Sequence, residues 1–342
     1  VAQEWLESLN EDPTPWLLEE DTENPGVRHF ALQDLLGKSP DDPEVLDARQ
    51  AVMSTGPVPV ILKAQQPEGY WEKPGPGYLP KYRSTVWSLS MMAQLGADGG
   101  GERLHKACRY LLEHAIDKNG SFSMSGTQGG AILCLMGNLS AALLDFGWLG
   151  DERLGGAMEW MARAVTGEGI APQDEKDAPV RYLKSATCGP GFCCSANDGK
   201  PCAWGAVKVM LAFSKLPEDS RTPLIQRAID TGLEFLLSKD PAVADYPMGY
   251  STKPSRSWFR FGFPLFYVTD VLQNLEVLTS FGYGPDPRLS AAMDLVRGKQ
   301  DEQGRWKMEY TYNGKTWVDI EEKGQPSKWV TLRAVRVLKR AG

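Results

Sequence analysis

The chain has 342 residues, 42% of them hydrophobic and 24% charged, with a formal net charge of -7. This is the composition of an ordinary globule with enough apolar material for a sizeable core, and the acidic balance (pI about 5.2) argues against nucleic acid or an anionic membrane as the main partner. No apolar run approaches the roughly 20 residues that span a bilayer, and the acidic start VAQEWLESLNED lacks the basic-then-apolar order of an export signal.

In chain order, Trp5, Leu6 and Leu9 mark a short helix, and a proline-punctuated acidic segment follows. Helical periodicity returns over 27–36, ending at Gly37 and Pro40, and again from Pro43 to about Gln66, with Gly56-Pro57-Val58-Pro59 breaking or kinking that helix. A glycine- and proline-rich loop at 67–83 leads into an apolar helix from Ser84. Gly99 to Gly101 turn the chain into the amphipathic stretch 101–115, whose Leu104, Cys108, Leu111 and Leu112 share a face. An almost wholly apolar helix over 131–148 and an amphipathic one over 151–165 come next. After the irregular stretch 166–200 the alternation resumes: apolar from Pro201 to Phe213, amphipathic over 219–238, apolar over 264–281, amphipathic over 287–300 and a last helix over 327–340. Six amphipathic segments thus alternate with six more apolar ones. The arrangement that buries the second set and wraps it with the first is an all-α, closed (α/α)6 toroid, one domain over 1–342, with an open superhelix of helix pairs as the competitor.

One unit recurs. Gln65, Gly69 and Trp71 stand at a helix end before a loop and an apolar helix, and Gln300, Gly304 and Trp306 repeat the spacing; Gly120 and Phe122 form a degenerate copy. On physical grounds the glutamine would satisfy helix-end carbonyls, the glycine would turn the chain and the tryptophan would seal the gap to the next helix. The pattern resembles the QW motif of the prenyltransferase and squalene-oxidase repeat family, which includes squalene-hopene and oxidosqualene cyclases and protein prenyltransferase β subunits. That resemblance implies an α/α toroid and an isoprenoid held among aromatic rings. The cyclases of that family protonate their substrate from a DxDD-type motif at the start of an inner helix. The corresponding stretch here, NDGKPCAWGAVKVMLAF, carries Asp198, Cys202 and Trp204 instead, and no Asp, Cys and His zinc set is recognisable.

If the inner helices point one way, the long loops entering them meet at one rim. Tyr82, Trp87, Trp204, Trp258, Phe263, Tyr267 and Trp329 would then edge a cavity suited to an apolar or carbocation-like substrate. Arg83, Arg260 and Lys328 lie near inner-helix starts, where an anionic group on that substrate would bind; ion pairs with Asp319, Glu321 and Glu322 are the alternative. Cys202 sits at a helix start, where a thiolate is favoured, and His29 opens the first inner helix and could serve as its base, although the first and fourth inner helices of a ring stand opposite each other. Asp198 is the candidate proton donor, its Asn197-Asp198-Gly199 setting being equally a common turn. The group Cys188, Cys193, Cys194 and Cys202 has no familiar zinc spacing, so no metal or other cofactor is expected, and the uneven cysteine distribution points to a reducing cytoplasm. The expected function is a terpene cyclase-like enzyme acting on a small apolar or isoprenoid-like substrate. The alternatives are an esterase or carbohydrate-active hydrolase on the same scaffold and a non-catalytic lipid or peptide receptor; the sequence leaves the oligomeric state open.

Overall fold

The computed structural model describes residues 4–170 and 189–342. They form helices joined by long loops, with isolated β-bridges but no extended strand among the described residues. Six helices make the inner layer: α3 (Pro25–Asp34), α6 (Thr85–Gln94), α8 (Leu133–Asp145), α10 (Ala203–Ser214), α12 (Val271–Ser280) and α14 (Lys328–Ala341). The outer layer is α4 (Pro43–Ser54) with α5 (Pro57–Lys63), then α7 (Glu102–His114), α9 (Glu152–Thr166), α11 (Pro223–Leu237), α13 (Ser290–Arg297) and the short α1 (Glu4–Glu7). A further turn, α2 (Thr14–Leu17), lies under the acidic segment and has no counterpart in the sequence reading.

The two layers differ as their compositions demand. Every residue of α6 from Thr85 to Ala93 is buried, whereas α7 buries only Leu104, Ala107, Cys108, Tyr110, Leu111 and Leu112. Neighbouring inner helices pack in the order α6, α8, α10, α12, α14, α3. The ring closes where Gly26 of α3 meets the Leu95 carbonyl at the end of α6. It is an (α/α)6 toroid, with α1 completing the outer layer against α14. α8 and α10 also approach closely, where Gly137 abuts the Lys208 backbone and leaves no room for a Cβ. Sequence-local caps start the helices: Asp42 accepts from Glu44 N, Thr222 from Ile225 N and Ser327 from Val330 N.

The repeated unit is one turn built three times. Gln66 N donates to Tyr70 O (2.8 Å), Asp301 N to Arg305 O (2.8 Å) and Asp117 N to Ser121 O (2.9 Å), and the glycine closing each turn donates back to the first residue. Gly69 and Gly304 take positive φ there, 107° and 67°. The tryptophans do what the glutamine was expected to do. Trp71 Nε1 donates to Ile61 O and Trp306 Nε1 to Val296 O, both at 2.7 Å, satisfying last-turn carbonyls of α5 and α13. Each Trp backbone N–H also donates to a threonine on the following inner helix, Thr85 or Thr331. Gln65 instead reaches sideways to Arg103 O on α7 (2.9 Å) and to Gly69 O (3.2 Å).

One expected element is different. The apolar run 264–281 is helical only from Val271, because Asp270 caps that helix through Gln273 N at 2.7 Å. Residues 261–270 instead thread the interior of the ring, mostly buried. A buried irregular segment must have its backbone groups satisfied by something. Polar side chains on the inner helices supply this: Gln94 bonds both the N–H and the C=O of Leu265 (2.7 and 2.8 Å), Asn138 Nδ2 donates to Phe266 O (3.1 Å) and Arg333 Nη1 to Gly262 O (2.8 Å).

Candidate functional site

The segments entering α6, α12 and α14 meet at one face of the ring. There Tyr78 and Tyr82 from the loop before α6, Trp87 of its first turn, Phe266 and Tyr267 of the threading segment and Tyr312 from the loop before α14 make one ring cluster. Tyr82 lies 4.7 Å from Tyr312, 5.0 Å from Trp87 and 5.2 Å, stacked, from Phe266; Trp87 lies 5.1 Å from Tyr267. Trp87, Phe266 and Tyr312 are the buried underlayer, while Tyr82 and Tyr267 are partly exposed. Over them stands Lys81, its ammonium 5.2 Å from the Tyr78 ring, 5.6 Å from Tyr267 and 5.9 Å from Trp87. Burial holds the phenols of Tyr82 and Tyr267 above their ordinary range, so both stay protonated hydrogen-bond donors.

Beside the rings lies a group of thiols. Cys134 is in the first turn of α8, Cys202 is the N-cap residue of α10, and Cys194 is in the loop before it; all are partly exposed and unoxidised. Burial pushes the Cys134 thiol up to about 12. The hydrogen bond from Cys202, together with the N–H groups of Ala196 and Asn197, draws Cys194 below the usual thiol range, and the same bond with burial holds Cys202 above it. One turn into α10, Lys208 is fully buried, and its ammonium nitrogen donates to Gln273 Oε1, which also accepts from Thr269 Oγ1 at 2.5 Å. It forms no ion pair among the described residues. Burial lowers it to about 7, with Cys134 and Asp270 opposing that shift and Arg333 adding to it. Its fellow in the interior, Arg333, is held charged: burial works against it, but Asp270 (2.9 Å) and Glu276 (2.8 Å) more than offset the cost.

Inside the ring, reaching toward the ends of the inner helices, is a cavity of about 370 Å³ walled by Phe30, Phe263, Leu265 and Trp329. Phe263 and Trp329 stack there at 4.2 Å. Its carboxylates are already matched, Asp145 with Lys215 (2.7 Å), Glu276 with Arg333 (2.8 Å) and Asp34 with Arg336. The thiols do not line this cavity, whereas Gln273, the partner of Lys208, does. Chemistry favours the helix-start face, because its thiols and amine have no such matched partners.

The sequence-predicted site residues divide accordingly. Tyr82, Trp87 and Tyr267 meet in the ring cluster, and Trp204 is partly exposed beside Cys202. Phe263 and Trp329 line the cavity. Trp258 packs on Tyr246 at 5.3 Å. Arg83 is exposed over Trp317, Arg260 is exposed, and Lys328 is paired with Glu19 and Asp21, both at 3.2 Å, so these cations do not form one anion pocket. Asp198 is exposed in a left-handed turn conformation (φ 57°). His29 is buried on the α4 side of α3, near Val45 and Arg49, with burial and then Arg49 lowering its pKa; Cys202 faces Cys194 and Cys134, and the two are not brought together. Cys188 lies outside the described residues, and among those no group of three or more His, Cys, Asp or Glu is placed to hold a metal ion. Sequence reasoning passed over Lys208, Cys134, Gln94, Asn138 and Arg333. For Lys208, Cys134 and Asn138 the signal was present, each being a polar or reactive residue inside an otherwise apolar helix, whereas Gln94 ends its helix and Arg333 is one of several cations in α14.

No family model and no curated protein matches the chain. Among solved structures it is similar to an unsaturated glucuronyl hydrolase specific for heparin, at 12% identity and TM-score 0.49 over 93% of this chain and 85% of that one. It is also similar to the type II terpene cyclase MstE from Scytonema, at 13% identity and TM-score 0.30 over 83% of this chain and 95% of that one. A variant of that cyclase holding its substrate geranylgeranyl dihydroxybenzoate aligns at 15% identity and TM-score 0.31, over 83% and 95% of the two chains. One neighbour is a hydrolase and the other a cyclase, and at this distance neither says anything of the chemistry here. No helix among the described residues is long and apolar enough to cross a membrane.

Proposed function

We propose that the protein is an enzyme that binds an isoprenoid-like or similarly apolar substrate against the ring cluster at the helix-start face and stabilises positive charge on it. The observation that carries this reading is that Tyr78, Trp87 and Tyr267, from three separate segments, already surround a cation, the Lys81 ammonium, at 5.2 to 5.9 Å. Ring faces attract positive charge most when water is excluded, and the buried underlayer of Trp87, Phe266 and Tyr312 supplies that setting. Lys81 and Arg83 at the rim would meet an anionic end of the substrate. Asp198 lies on an exposed turn away from the ring cluster, so the rings, more than that carboxyl, carry the electrostatic work in this reading.

Geranylgeranyl diphosphate and geranylgeraniol, titrated against tryptophan fluorescence, test it. Saturable quenching by both, weakened roughly tenfold by Tyr82→Ala and, for the diphosphate alone, by Lys81→Ala, is the expected result. Absence of saturable binding by either compound to the folded protein would remove the reading. A hydrolase on the same scaffold is the second reading, favoured by one observation: the thiol held low is Cys194, so it and not Cys202 would be the nucleophile. Hydrolysis of a p-nitrophenyl ester lost in Cys194→Ser but kept in Tyr82→Ala would favour it.

A further inference from the structure

The residues leading into α10 form a small ribbon. Cys193 pairs antiparallel with Pro201, Cys194 N donates to Lys200 O (3.1 Å) and Cys202 N to Phe192 O (2.9 Å). With Cys193 opposite Pro201, Cys194 is opposite Lys200 and Phe192 opposite Cys202. Side chains alternate between the faces of a ribbon, so Cys194 and Cys202 are diagonal neighbours on one face while Cys193 lies on the other. The turn through Asp198 and Gly199, both at positive φ (57° and 72°), closes the ribbon and fixes this register. The two thiols hydrogen-bond each other, and both are partly exposed.

We propose that Cys194 and Cys202 form a dithiol site that exchanges with small-molecule disulfides of the glutathione type. The thiolate of Cys194 attacks one sulfur of the incoming disulfide; a new S–S bond forms, the old one breaks, and the first thiol departs as thiolate to take a proton from water. Cys202 then loses its proton and attacks Cys194 Sγ, closing the intramolecular disulfide and releasing the second thiol. The protein is oxidised by two electrons and the external disulfide reduced to two thiols. The division of labour follows from the setting. Cys194 receives the Cys202 S–H and the N–H groups of Ala196 and Asn197, which favour its anion, whereas Cys202 receives the Gly205 N–H alone and is the more deeply buried of the two, so it becomes nucleophilic once Cys194 is capped. The other groups facing the pair are Cys134 from α8 and, beneath it, Lys208; Cys193 is beside Cys194 in the chain. Oxidation would pin the ribbon at the start of α10, next to Cys134 and the ring cluster. This inference does not depend on the substrate reading above.

The test uses the whole chain, reduced and then exposed to oxidised glutathione, with intact mass and non-reducing peptide mapping as readouts. The expected product has lost two hydrogens and yields a Cys194–Cys202 linked peptide. Cys202→Ser should stop at one glutathione on Cys194, Cys194→Ser should react at least roughly tenfold more slowly, and Cys193→Ser should behave as the parent. A second readout needs no variant: in the parent protein iodoacetamide should label Cys194 at a lower pH than Cys193. The proposal is overturned by a disulfide that maps to a pair without Cys194, such as Cys188 with Cys193. It is equally overturned by glutathione found first on Cys193, or by Cys193 labelling at a lower pH than Cys194.

Discussion

At the scale of single residues the interior is organised by two cations that solve burial in opposite ways. Arg333 stays charged between Asp270 and Glu276, whereas Lys208 has only the side-chain carbonyl of Gln273 and gives up its proton near pH 7. An unfolded lysine keeps its proton to about 10.5. Between those values the unfolded chain binds one more proton than the folded one, so this group makes stability rise with pH across that window and contributes no slope below pH 7. Relative to Lys208→Met, the wild type should therefore gain about 1.4 kcal/mol per pH unit from pH 7 to 10. Buried phenols and thiols act in the reverse sense in the alkaline range, but they are common to both proteins and cancel in the comparison. Urea denaturation at several pH values measures it, and parallel stability curves would mean that Lys208 keeps its proton in the fold. The apolar surroundings of this lysine were legible in AWGAVKVMLAF; its lack of a carboxylate partner was not, since Gln273 comes from a helix 65 residues away.

At the scale of elements, the amphipathic outer helices were readable because one apolar stripe per helix is a local property, and α6, α8 and α10 were readable because they are apolar nearly all round, whereas α3 and α14 carry charged residues among their apolar ones. The fifth inner helix was read seven residues too long. FPLFYV, residues 263–268, is apolar throughout and leads straight into the helix, and periodicity alone does not separate a buried helix from a buried irregular segment. What separates them is the partners of the backbone, and those lie on other helices. Gln94 is the clearest: its amide gives and takes one hydrogen bond each with Leu265. Gln94→Leu fills similar volume but leaves a buried N–H and a buried C=O without partners, at roughly 1–3 kcal/mol each. A loss of about 2–5 kcal/mol in chemical denaturation is expected, together with faster hydrogen exchange at residues 261–270. A variant as stable as the parent would mean that the segment is held by its apolar side chains alone.

At the scale of the whole molecule, a ring has no ends only if its last inner helix is covered by its first outer one. That cover is α1 and the turn after it. Trp5 packs against Gly342 at the end of α14, Asn10 N donates to Gln300 Oε1 at 2.7 Å and Asn10 Nδ2 to Asp301 O at 3.0 Å. The Glu11 carbonyl presses on Gly304, the turn glycine of the last repeat, where any side chain would collide. The third copy of the repeated turn is thus held by the beginning of the chain, a long-range dependence that the spacing of Gln300, Gly304 and Trp306 does not reveal. Removing residues 1–12 exposes the outer side of α14 and frees Gln300 and Asp301. Burying one large aromatic contributes roughly 1.5–3 kcal/mol and each hydrogen bond about 1 kcal/mol, so Tm should fall by on the order of 5 °C. Because the threading segment ties α6, α8 and α14 together from within, the shortened chain should still unfold in one transition, with far- and near-UV circular dichroism changing at the same temperature. An early, separate loss of α13 and α14 would instead make the ring a stack of helix pairs, each standing on its neighbour, and the interior segment a filling with no part in holding the circle closed.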